Sequence, residues 1–131
     1  MKRTKLRKKS KASIRKIQDI LWTLCRQLTF AKYGNTCYTC GARRLEGSNL
    51  QCGHMIPKAS CGANLKYDLR NLRPQCMRCN IHLGGNGAEF YRKMMLEVGP
   101  TALNEILIDK QKTVKAYDHY VFLISKYQSM I

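Results

Sequence analysis

Acidic residues are scarce in this chain. Its 131 residues include 8 Asp and Glu against 24 Lys and Arg, a formal charge of +16. So large an imbalance is unfavourable by self-repulsion unless a polyanion is the partner, which points to nucleic acid or an anionic membrane surface. Long apolar runs are missing too. No stretch approaches the roughly 20 residues that a membrane span needs, so no membrane role is expected. Nor does the start read as a secretory signal, because its basic residues lead into a helix-patterned segment rather than an apolar run with a small-residue cleavage site. The expected location is the cytoplasm, where thiols stay reduced. No internal repeat is evident.

Against that background the 7 cysteines stand out. An odd number in a reducing compartment argues against a disulfide framework. Four of them form two pairs, Cys37-x-x-Cys40 and Cys76-x-x-Cys79. Paired thiolates at this spacing hold a zinc ion at about 2.3 Å from each sulfur. With every position filled by thiolate such a zinc is structural and does not activate water. Cys25 falls on the apolar face of a helix and reads as a small core residue. Cys52 and Cys61 read as buried cysteines or as spare ligands.

The chain length suits one domain. Residues 1–11 form a basic tail, with Lys8 and Lys9 among its cations, suited to lying along phosphates. Ile14, Ile17, Leu21, Leu24 and Leu28 recur at spacings of 3 and 4, the face of an amphipathic helix over 12–32. Residues 37–87 are rich in glycine, cysteine and polar side chains. They read as a knuckle at 37–41, a short hairpin, a strand near 49–56, a loop over 57–69, a strand near 71–75 and a second knuckle that opens a helix. So small an insert cannot bury enough apolar surface alone, and zinc binding, worth on the order of 10–16 kcal/mol, compensates. Helices follow over 88–98, 100–109 and 111–129, the last with Val114, Tyr117, Val121 and Ile124 on one face. The fold class expected is α+β: a zinc-stabilised core flanked by N- and C-terminal helices, within one domain spanning 12–131.

Catalysis, if zinc is closed, needs another group. His54 stands between the cysteine pairs at the end of a predicted strand. An unperturbed imidazole titrates near 6.5, which suits it to deprotonate water during phosphodiester hydrolysis. Arg43 and Arg44 in the first hairpin, and Arg70, Arg73 and Arg78 around the second strand, are placed for contacts to a DNA backbone.

The combined string resembles a known pattern. His54, Asn71, Asn80 and His82, in that order, resemble the HNH or ββα-metal nuclease motif. More closely, Cys37-Tyr-Thr-Cys-Gly41, Gly53-His54, Leu65-Lys-Tyr-Asp-Leu-Arg-Asn71, Gln75-Cys-Met-Arg-Cys-Asn-Ile-His82 and Gly85-Asn86 resemble the NinG/Rap family of phage recombination endonucleases. The resemblance implies a ββα-metal core and a metal-dependent endonuclease acting on branched or junction DNA, in the host cytoplasm. It implies His54 as general base and Asn71 as the residue that orients its ring by a hydrogen bond. Asn80, and His82 with it, would serve a catalytic Mg²⁺ or Mn²⁺. Asn86 would touch phosphate or metal, or is a plain turn residue. A homodimer built on the terminal helices, and recombination proteins as partners, are further expectations. Many HNH enzymes carry an acidic or histidine metal ligand just before the base, where this chain has Gly53, as the NinG/Rap pattern itself does. Asp68 and Glu89 are the nearest carboxylates, and Asp68 is equally suited to pairing with an arginine. Two other readings fit the same residues: a non-catalytic zinc module that binds nucleic acid, and a sequence-specific HNH nuclease of the restriction or homing type.

Overall fold

The computed structural model describes residues 11–131. Helix α1 (Lys11–Tyr33) is followed by strand β1 (Gln51–His54), helix α2 (Lys58–Lys66), strand β2 (Leu72–Gln75), helix α3 (Gly87–Lys110) and helix α4 (Ala116–Gln128). Short 3-10 turns at Gly47–Asn49 and Leu69–Asn71 precede the two strands, and a single π-type turn, Arg78–His82, follows β2. The result is a mostly helical α+β architecture around one antiparallel hairpin, in which Gln51 faces Gln75 and His54 faces Leu72.

Helix α1 forms where its apolar stripe predicts. Leu21 and Leu24 are buried, Ile17 and Leu28 pack on the same cluster, and Gly34, at φ +75°, ends the helix. The reversal is fastened by the Gly34 amide donating to the Phe30 carbonyl at 2.8 Å, a left-handed C-terminal cap that glycine adopts without steric cost. Cys25 is fully buried there, as its position on the stripe implies. Helix α1 packs on α4 and on β2, so the apolar faces of the two terminal helices are spent on each other. A second cluster joins α2 to α3 through Leu65, Phe90, Met94, Leu103 and Ile106. At Gly99 the α3 backbone turns to φ +80° and ψ 173°, so α3 is two helical segments meeting just before Pro100, as the Gly-Pro pair suggests.

Three expectations fail. Among the described residues the only strands are β1 and β2, so the hairpin after the first knuckle is absent; Cys37 instead bonds across to the Ala42 carbonyl at 2.8 Å and the segment stays irregular. The expected loop over 57–69 contains α2. Ser60, Gly62 and Asn64 carry poor helix propensity, and Gly62 does break the helix at φ +65°, but burial of Cys61 and Leu65 holds its turns. Finally, α4 starts at Ala116 rather than 111, and its buried face is Tyr120, Leu123 and Tyr127, while Val121 is 44% exposed. The tyrosine rings, rather than the valines, are the core residues. Tyr120 meets Tyr67 edge-on at 5.0 Å and the Tyr127 hydroxyl donates to the Tyr67 carbonyl at 2.6 Å.

This assignment of faces has a direct test. Tyr127→Phe leaves a buried carbonyl short of its best donor and is expected to cost about 1–3 kcal/mol in chemical denaturation. Val121→Ala, on the exposed side, is expected to stay within roughly 0.5 kcal/mol. Equal losses would place the helix the other way round.

Candidate functional site

The four paired cysteines meet. Cys37, Cys40, Cys76 and Cys79 bring their sulfurs within 4.8 Å of one another, and Cys40 Sγ lies 3.7 Å from Cys76 Sγ. Tetrahedral thiolate coordination at 2.3 Å demands sulfur separations of about 3.8 Å. The donor set therefore fits zinc, and four thiolates so close would repel one another without a cation. Each knuckle aims a backbone amide at its own first sulfur, Cys40 N to Cys37 Sγ at 3.5 Å and Cys79 N to Cys76 Sγ at 3.4 Å. Burial opposes ionisation of Cys37, yet the Thr39 hydroxyl at 3.4 Å and the knuckle amide bring its thiol down to about 6. Cys25, Cys52 and Cys61 lie outside this group and are buried thiols.

One wall away is a cavity of about 540 Å³ lined by residues from four segments: Trp22 and Arg26 of α1, Gln51 and His54 of β1, Lys58 of α2, and Asn80 of the turn after β2. His54 lies flat against Trp22, ring centroids 5.5 Å apart and planes within 6°. Its Nε2 is 2.7 Å from the Lys66 carbonyl. A carbonyl only accepts, so Nε2 carries the proton and Nδ1 keeps the lone pair. Burial pushes the imidazole down to about 4, with the Lys58 and Lys66 ammonium groups adding to the effect and the Lys66 carbonyl opposing it. His54 is thus neutral at physiological pH, the state a base requires.

The ring is not held by Asn71. That side chain is fully buried, its Oδ1 accepting from the Ile56 amide at 2.8 Å and its Nδ2 donating to the Ile56 and Leu65 carbonyls at 3.1 and 3.4 Å. Asn71 pins the loop on which α2 begins to the start of β2, and thereby sets where the Lys66 carbonyl sits. Its action on His54 is indirect. Asn80 does reach the cavity. Its amide nitrogen donates to Gln51 Oε1 at 2.8 Å, which leaves the carbonyl oxygen without a donor among the described residues. His82 is exposed and is not among the cavity's lining residues. Asn86, at φ 51°, is a turn residue whose Nδ2 points at Cys79 Sγ, 3.7 Å away, so it supports the zinc cluster.

The carboxylates and several arginines are otherwise engaged. Asp68 pairs with Arg70 at 2.7 Å, and Arg70 also grips Asp109 at 2.8 Å. Glu89 pairs with Arg92 at 2.6 Å. Arg73 is 3% exposed, paired with Glu97 at 3.1 Å and laid against the rings of Tyr33 and Tyr38 at 4.5 and 5.3 Å. Arg73 therefore does not reach DNA; it was grouped with Arg70 and Arg78 by sequence proximity, but all four β2 residues are buried and Glu97, Tyr33 and Tyr38 enclose its guanidinium. Arg43, Arg44 and Arg78 are exposed and belong to none of the ion pairs among the described residues. Lys8 and Lys9 lie outside the described residues. Sequence reasoning missed Trp22, Arg26, Gln51 and Lys58. Trp22 adjoins Leu21 on α1 and reads as helix packing, and nothing local distinguishes Arg26 or Lys58 from the other cations.

A family model described as "NinG: Bacteriophage Lambda NinG protein" matches residues 1–131. Similar curated proteins include protein ninG of Salmonella phage P22, 35% identical over 77 residues that make up 58% of this chain and 36% of that protein. Proteins ninG of Escherichia phage 933W and Enterobacteria phage VT2-Sa are each 31% identical over 70 residues, 53% of this chain and 33% of theirs. The chain thus spans about a third of the length of the curated relatives it matches. No solved structure matches.

Two measurements bear on this geometry. The purified protein is expected to release one zinc per chain to a chromogenic chelator, with a large fall in Tm, and Cys79→Ser is expected to lose the metal; a metal-free, equally stable protein would contradict the four-thiolate site. The second concerns His54. Its folded value lies below the ordinary 6.5, so its contribution to stability is whole above pH 6.5 and is lost as pH falls from 6.5 toward 4. His54→Gln is expected to flatten the stability curve across that window, read by denaturation at stepped pH; an unchanged slope would mean a solvated ring.

Proposed function

The chain belongs to the NinG family of phage proteins, and on that premise we propose that it is a DNA endonuclease that hydrolyses phosphodiester bonds with His54 as its base. The observation that carries this reading is the convergence of His54 and Asn80, one ending β1 and the other following β2, on the same cavity beside the cysteine cluster. That order of strand, strand and knuckle turn supports a ββα-metal core of the HNH kind. Branched or junction DNA is the substrate class that the resemblance to recombination endonucleases suggests, and the charge of +16 supplies the attraction to it.

The residues divide the work as follows. The Lys66 carbonyl fixes the neutral tautomer of His54, and Trp22 fixes the plane of the ring. Nδ1 then takes the proton of a water as that water attacks phosphorus. Asn71 keeps α2 and β2 in register beneath the ring. Arg43, Arg44 and Arg78 hold the backbone of the duplex outside the cavity.

A catalytic Mg²⁺ or Mn²⁺, where present, supplies positive charge to the phosphate and the departing oxygen. Such ions favour carboxylate ligands. Among the described residues the cavity lining contains none, and the Asn80 oxygen is its one side-chain amide oxygen without a donor. The donor set does not fit a resident divalent ion.

Labelled junction, flap and linear DNA, incubated with Mg²⁺, with Mn²⁺ or with EDTA, test the proposal. Cleavage of the branched substrates is expected, and His54→Ala is expected to lower the rate at least 100-fold while leaving DNA affinity within twofold. Binding without cleavage by the unaltered protein in every condition would leave a non-catalytic zinc module, and preferential cutting at one sequence in linear duplex would favour the restriction-type reading.

A further inference from the structure

The cavity beside His54 has two cations and no counter-charge. Arg26 and Lys58 line it, no Asp or Glu does, and neither cation belongs to any ion pair among the described residues. Both are held in place by other means. The Lys58 ammonium lies 5.3 Å over the Trp22 ring, the same ring that stacks on His54. The Arg26 guanidinium lies 5.0 Å over Phe30 and reaches the Leu50 carbonyl at 3.5 Å. A cation over an aromatic face keeps its charge while its position narrows. Two such charges at the rim of one concavity repel each other and lower the local potential for anions, which a phosphate group relieves.

We propose that Lys58 and Arg26 bind the phosphodiester to be cut, with Lys58 beside the departing oxygen, and so supply from the protein the positive charge that carboxylates elsewhere recruit as a metal ion. The anion site stands on the lining alone; its description as the scissile position rests on the endonuclease reading. In the step itself the water oxygen forms the new bond to phosphorus and its proton passes to His54 Nδ1. The bond from phosphorus to the departing oxygen breaks, its electron pair staying on that oxygen. The Lys58 ammonium stabilises this charge until a solvent proton arrives, and His54 returns its proton to water. Trp22 couples the base to the cation, because one ring fixes the positions of both.

The chain has a single tryptophan, and it is the one in this cavity, so its emission reports the site. The zinc-loaded protein, with no divalent cation added, is titrated with the dinucleotide dTpdT, with its uncharged methylphosphonate analogue and with inorganic phosphate; calorimetry on the same series gives affinity independently of emission. Saturable binding of dTpdT is expected, with none of the methylphosphonate. Binding of inorganic phosphate as tight as that of dTpdT would overturn a phosphodiester site in favour of a site for free phosphate. Lys58→Met and Arg26→Met are each expected to weaken dTpdT roughly ten- to a hundredfold, as loss of a charge-assisted hydrogen bond does, with Lys58→Arg retaining most of the affinity. Lys126→Met, on the exposed side of α4, removes a charge elsewhere and is expected to change nothing. In cleavage assays Lys58→Met is expected to lower kcat more than it raises KM. No binding by either method, equal affinity in the Met variants, or equal binding of the uncharged analogue would overturn the proposal. If dTpdT binds as described but no DNA is ever cut, the anion site stands and the endonuclease reading falls.

Discussion

Four sulfurs that fit around one ion bring together two segments that would otherwise have little reason to meet. The loop after α1 contributes Cys37 and Cys40, the turn after β2 contributes Cys76 and Cys79, and around them only Leu45 and the half-buried Leu50 add apolar contact. That is too small a core to order the loop over 34–50, which has no strand and one short 3-10 turn. Coordination of one ion by the four thiolates would fix this part of the chain where packing does not. Asn80 follows Cys79 directly, and its amide clasps Gln51 across the turn. The position of Asn80 is therefore tied to the cysteine cluster, and that of His54 to the hairpin. The cavity exists because the two systems are joined by β2.

Helix α1 is the third support, and its role reaches beyond the core. One face fills the cluster with Tyr67, Tyr120 and Tyr127. Its flank presents Trp22 and Arg26 to the cavity. The ring of Trp22 meets His54 in parallel and Tyr67 edge-on at 6.1 Å. The same aromatic series thus runs from the core between α1 and α4 to the imidazole. A side chain that looks like packing in the sequence is, in space, the surface on which the His54 ring rests.

Where the sequence was legible, a local rule was enough. The cysteine spacing, the stripe on α1, the strands ending at His54 and Gln75, and the break at Gly99 each follow from residues close together in the chain. Helix α2 was not legible because its residues favour loops and contacts with α3 and α4, distant in sequence, stabilise it. The α4 face was misread because its stripe was drawn through Val114, Tyr117 and Val121, while the Tyr67 carbonyl that holds Tyr127, and so sets which face turns inward, lies far away in sequence. Arg73 shows the same limit in reverse. An arginine near a suspected site reads as a DNA contact, yet three aromatic and acidic partners from α1, the knuckle and α3 enclose it. Of the candidate site, His54 and the four clustered cysteines were visible, while Trp22, Arg26 and Lys58 required the cavity.

The absence of an acid before His54 also has a physical cause. Gly53 lies against Gln75, and a Cβ there would sit 1.8 Å from Gln75 Oε1. Gln75 is fully buried and cannot readily yield, because its Nε2 donates to Thr39 Oγ1 at 3.0 Å and to the Gly85 carbonyl at 2.9 Å. Thr39 in turn contacts Cys37 Sγ, and Gly85 borders the cavity. One amide therefore links the zinc knuckle, the hairpin and the cavity wall. An aspartate at position 53 would displace that amide and release both attachments, so the hairpin can carry the acid or this brace, but not both. With the brace in place the cavity lining carries no acid, and Lys58 and Arg26 are the cations that the fold brings to it.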